Sequence, residues 1–170
     1  MRLLEIAAIA VAVAACAFDV ARQRIPNALT FGAAAAALVT AAVTGGVSGF
    51  GASAAGWMTG LALFLPVYAL GGMGGGDVKL LAALGAWLGP VMVFYAALYT
   101  GIAGAALAVV LMFTHQCARQ TLTNINLLLL HWRVCGLTAA PSLTLENSSS
   151  PKLAYALPIL IGTVAALWLR

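Results

Sequence analysis

The sequence predicts an all-α fold: one integral membrane domain over residues 1–170, built as a polytopic bundle of about six transmembrane helices. Its N-terminus is expected outside and a long cytoplasmic loop, residues 114–152, before the last span. Three observations carry this. Of the 170 residues 64% are hydrophobic and 7% charged, with a mean hydropathy of +1.05, which no water-soluble domain of ordinary usage approaches. The apolar runs come close to the roughly 20 residues that a bilayer core requires, and they do not alternate with period two as barrel strands would. Finally, an outside N-terminus puts Arg22, Arg24, Lys79, Arg119, Arg133 and Lys152 inside and leaves Arg2 and Arg170 outside, the asymmetry of the positive-inside rule. The net charge of +4 is small and scattered and says little about nucleic acid; no nucleic-acid partner is expected.

Each span has its own signals. Residues 3–18 form an apolar run led by Arg2 and closed by Asp19, Arg22 and Arg24. A secretory signal has a similar outline, but Glu5 occupies its basic region and the arginines would have to be translocated, so the run reads as a retained helix. Ile25-Pro26-Asn27 breaks the chain, Pro being favoured at the first turn of a new helix, and residues 28–44 span back. Residues 45–51 read as a short uncharged turn. A third span covers 52–70, with Pro66 inside it expected to kink the helix. A glycine loop follows, then a short fourth helix over 78–88 that Gly89-Pro90 ends, and a fifth over 91–113. The mixed stretch 114–152 reads as a loop with an interfacial helix near 122–132. Residues 153–169 make the sixth span, with Pro158 inside.

Gly56 and Gly60, like Gly85 and Gly89, are small-residue pairs that permit close helix packing, and they read as internal contacts. Trp57, Trp87 and Trp168 fall near the expected outer ends of their spans, where an aromatic belt belongs. His115 and His131 are far apart with no third ligand pattern, and Cys16, Cys117 and Cys135 are scattered as reduced cysteines are. No metal or cofactor is called for. Asn147-Ser148-Ser149 matches a glycosylation sequon, but the threading puts it in the cytosol.

Chemistry concentrates at two acids. The chain has four Asp and Glu in all; Asp19 and Asp77 are the pair at the cytoplasmic ends of apolar runs, where an unpaired charge costs a few kcal/mol and is functional by default. Two carboxylates brought together resist double ionisation. One then serves as general base on a water while its protonated partner donates to a scissile carbonyl. Asp77 ends the run Gly71-Gly72-Met73-Gly74-Gly75-Gly76-Asp77-Val78-Lys79. Glycines allow close approach of another backbone, and this run lacks both the Gly-Lys-Ser/Thr and the dinucleotide spacing of phosphate loops. An extended peptide meeting Gly74, Gly75 and Gly76 suits it better. Two plainer roles stand beside this: Asp77 as a helix cap and Asp19 paired with Arg22 or Arg24.

Gly74-Gly75-Gly76-Asp77 with Val78-Lys79-Leu80-Leu81 resembles the Gly-x-Gly-Asp signature of intramembrane aspartyl proteases, in the Gly-Asp-Val-Lys-Leu form of type IV prepilin peptidases. Asp19 with Arg22, Arg24, Ile25, Pro26 and Asn27 is similar to that family's first aspartate segment. The resemblance implies a bacterial inner-membrane endopeptidase, facing the cytoplasm, that cleaves the basic leader from prepilin-like substrates beside their hydrophobic helix. It implies Asp19 and Asp77 as the catalytic pair, with Lys79 a nearby cation near substrate or lipid headgroups. The paired Cys-x-x-Cys segment of larger, methylating members has no counterpart here, so the chain looks like the short peptidases of tight-adherence (Flp-type) pili. Those relatives open their last span with Pro-Tyr, whereas here Ala154 precedes Tyr155. The competing reading is a non-enzymatic transporter or assembly protein whose two acids bind a proton or cation.

Overall fold

A computed structural model describes residues 3–114, 118–136, 138 and 154–169. Its described residues are helical with no strand, in the order α1 (Leu3–Arg22), α2 (Asn27–Ala69), α3 (Gly75–Leu88), α4 (Pro90–Thr114), α5 (Ala118–Cys135) and α6 (Ala156–Trp168). The helices α1, α2 and α4 are long and apolar enough to cross a membrane. Their outward faces carry Val20, Val39, Met58, Leu98 and Ile102, all exposed. Such a surface suits hydrocarbon rather than water. The expected all-α membrane bundle is what the chain forms.

The second and third expected spans are the two arms of α2, joined within the expected turn over residues 45–51. At 1.5 Å per residue, the 43 residues of α2 would run for roughly 65 Å, about twice a bilayer core. It is instead two helices that meet at a kink at Gly46, whose φ 59° and ψ −146° are non-helical and favour glycine. The two halves of α2 then run in opposite senses along α3. On the first, Asn27 meets Lys79 and Ala33–Ala34 pack on Ala83; on the second, Ser53 meets Ala86, Gly56 meets Gly85 and Gly60 meets Leu81. The helical hairpin therefore holds α3 between its arms. A Cβ on Gly56 would overlap the Gly85 carbonyl, and one on Gly85 the Gly56 carbonyl, so the small-residue pairs are internal contacts as expected. Pro66 lies in the last turn of α2, where the backbone stays helical.

Several boundaries also move. α1 continues to Arg22, placing Asp19 in its last turn. α3 starts at Gly75 rather than Val78, with Gly74 as its N-cap, so the end of the glycine run is helix rather than loop. Within the expected 114–152 loop, residues 118–135 are helical, longer than the 122–132 expected. α6 begins at Ala156, not residue 153, with Pro158 in its first turn, where Pro removes no intrahelical hydrogen bond. Lys152, Pro151, Glu146 and the sequon at Asn147 lie outside the described residues.

The core is made of small side chains. Ala8, Ala12 and Ala15 of α1, Leu80, Leu81 and Leu84 of α3, and Ile159 of α6 share one buried cluster. α4 and α6 run antiparallel, Gly162 lying on Ala96 and Thr100, and Gly104 on Tyr155. Without a hydrophobic drive between helices in lipid, close backbone approach through Ala and Gly is what supplies packing. One end of the bundle thereby collects the C-terminal ends of α1, α2 and α4 and the N-terminal ends of α3 and α6.

Candidate active site

Asp19 and Asp77 both lie at that end. They are 8% and 9% exposed and both line an open cleft of about 410 Å³, together with residues 23–27 and 74–76.

Each aspartate is held by a helix terminus. α1 ends where Gln23 adopts φ 50°, with its N–H on the Asp19 carbonyl at 2.7 Å. This left-handed residue turns residues 24–27 across the mouth of the cleft. A side chain in that region is strained by roughly 1–2 kcal/mol relative to glycine. The Asp19 carboxylate accepts the backbone N–H of Ala156 through Oδ2 at 3.1 Å. That N–H is one of the orphan donors at the start of α6, so Asp19 ties α1 to α6. Asp77 stands three residues after the N-cap Gly74 and takes a hydrogen bond from the Gly74 backbone, the reach-back half of a capping box. Capping and chemistry are thus compatible roles for Asp77.

Of the three glycines, Gly74 is the tightly packed one and the others have ordinary contacts. A Cβ on Gly74 would lie 3.2 Å from Asp77 Oδ2, one on Gly75 3.4 Å from the Tyr68 ring and one on Gly76 3.4 Å from Ile25. Gly74, Gly75 and Gly76 line the cleft. Lys79 is not among the lining residues; its ammonium is engaged by Asn27 and Phe31.

The N-terminus of α6 is the part that sequence reasoning missed. Tyr155 caps α6, packs edge-on against Phe64 with ring centroids 6.3 Å apart, and lies within electrostatic reach of Asp77. Ala156 beside it donates to Asp19, so the start of α6 adjoins the site. Pro158 was the available signal, since a proline in a first turn marks a helix start and places Tyr155 at its mouth.

A bundle of long apolar helices with paired buried aspartates at one end defines an integral membrane protein built around an acid pair. Residues 6–109 match the family model of the type IV leader peptidases, and the chain belongs to that family, which makes it a membrane protease of the leader peptidase type. The matched stretch contains Asp19, Asp77 and the whole glycine run and stops before α5 and α6. No match was found among curated proteins or among solved structures.

Proposed function

We propose that the protein is an aspartic endopeptidase that removes the basic leader from prepilin-like subunits, of Flp type, at the cytoplasmic face of the bacterial inner membrane. The observation that carries this reading is the convergence of Asp19 and Asp77 on one cleft. An extended chain lies over residues 74–76 with its scissile carbonyl between the acids. One carboxylate takes a proton from water as the water attacks the carbonyl carbon. The other, protonated, donates to the carbonyl oxygen, and the proton gained by the first is delivered to the leaving amine. No step calls for a metal or cofactor, and methylation of the new N-terminus is not part of this reading.

The cytoplasmic orientation is supported by charge. Arg22, Arg24, Lys79, Arg119 and Arg133 belong to segments at the acid-pair end, which is the arrangement the positive-inside rule favours for a cytoplasmic face. Leu122, Ile125 and Leu129 of α5 are exposed, which suits contact with membrane lipid at that face.

The test is cleavage of a prepilin-like peptide, with basic leader and hydrophobic segment, by purified protein in lipid or detergent. Wild type cuts it, whereas Asp19→Asn and Asp77→Asn each lose cleavage while remaining folded. Normal processing by either variant would end the acid-pair mechanism. A folded wild type that cuts no such peptide would favour the ion- or proton-binding alternative.

A further inference from the structure

Lys79 stands two residues beyond Asp77 but turns away from the cleft. Its Nζ donates to Asn27 Oδ1 at 3.0 Å, across 52 residues of sequence, and sits 5.5 Å from the centre of the Phe31 ring. Asn27 and Phe31 are one turn apart at the start of α2. A single ammonium therefore joins the start of α2 to α3, two residues beyond Asp77.

Asn27 itself lines the cleft. A carboxamide carries an acceptor oxygen and a donor NH2 on one planar carbon. An ammonium is a donor alone, so it selects the oxygen, and flipping the amide would set NH2 against NH3+. The donor edge is what remains for the cleft. Hydrogen bonding to a charged partner also polarises the amide and strengthens its free N–H groups. An extended peptide presents backbone carbonyl oxygens, which need such a donor once they leave water.

Resting on the peptidase reading above, we propose that Lys79 is a positioning residue acting through Asn27. It fixes the Asn27 carboxamide so that the NH2 group binds a backbone carbonyl of the substrate. Asn27 touches substrate and Lys79 does not. This gives the basic residue after the catalytic turn a task distinct from charge attraction.

The test measures cleavage kinetics for Asn27→Ala, Lys79→Met, Lys79→Arg and the Asn27→Ala/Lys79→Met double variant. Affinity for the uncut peptide is measured in an Asp77→Asn background. Loss of one hydrogen bond raises KM and weakens peptide binding roughly three- to tenfold in each single loss variant, with kcat within about twofold. Lys79→Arg, which keeps a donor, stays near wild type, and the double variant is no worse than Asn27→Ala alone. Additive losses, or Lys79→Met indistinguishable from wild type, would overturn the proposal; a purely structural cation would lower the melting temperature and add to Asn27→Ala. A wild type that binds the peptide without cutting it overturns the peptidase reading, and the clasp is then judged on the affinities. A wild type that neither binds nor cuts overturns both.

Discussion

At the scale of single residues, Gly74 and Thr163 show how tightly the environment of each side chain is set. A methyl on Gly74 would press on Asp77 Oδ2 from 3.2 Å, and the carboxylate must give by a few tenths of an ångström. Displacement of a reacting group costs rate steeply, so Gly74→Ala is expected to lower kcat roughly three- to tenfold with the melting temperature little changed, as parallel kinetic and thermal measurements would show. Thr163 is completely buried in α6, and its hydroxyl has no partner among the described residues. An unsatisfied buried hydroxyl disfavours the folded state, so Thr163→Val, of the same shape, should be neutral or stabilising by up to about 1 kcal/mol. A clear loss of stability on thermal unfolding in detergent would show that this hydroxyl has a partner after all.

At the scale of elements, α3 is the part on which the site depends. It is shorter than a full membrane span, and its termini are satisfied by neighbours. Gly74 and Asp77 close the N-terminal end. At the other end, Ser53 Oγ donates to the Ala86 carbonyl at 2.7 Å, one of the last four carbonyls that no helix satisfies internally. In an apolar setting Ser53→Ala leaves that carbonyl short of a donor and should destabilise by about 1 kcal/mol. The contact of Gly56 with Gly85 admits no side chain on either residue. Gly56→Leu must push α3 out of the hairpin, with a loss above about 2 kcal/mol, and cleavage should fall with it because Asp77 rides on α3. Retention of both stability and activity in Gly56→Leu would contradict this packing.

At the scale of the whole molecule, the antiparallel packing places the acid pair, α5 and the start of α6 at one end of the bundle, with Gly46 at the other. The proposed orientation makes a labelling prediction. With the native cysteines replaced, Thr123→Cys on α5 should react with a membrane-impermeant thiol reagent only after cells are opened, and Val47→Cys, 91% exposed beside the turn, should react in intact cells. The reverse pattern would place the site on the outer face.

The sequence by itself determined the solvent, the fold class and the two acids. Those follow from one-dimensional facts: hydropathy, run length, the sign of charge beside each run, and two motifs centred on Asp19 and Asp77. It also pointed to Gly56 and Gly85 as packing positions, because four-residue spacing of small side chains has one physical use in lipid. Where helices begin and turn was less legible. Glycines read as loop in the Gly74–Gly76 run, yet a helix's first turn needs no internal hydrogen bonds, and Asp77 could cap it from three residues on. The stretch 45–51 read as a short turn, and the reversal does fall there, at the single non-helical residue Gly46. What only the tertiary structure decided is which distant groups meet: Ala156 N–H on Asp19, the Tyr155 ring on Phe64, and Lys79 on Asn27. Those contacts join segments 52 to 137 residues apart. They arise from the antiparallel stacking of whole helices, a property that no local pattern of side chains encodes.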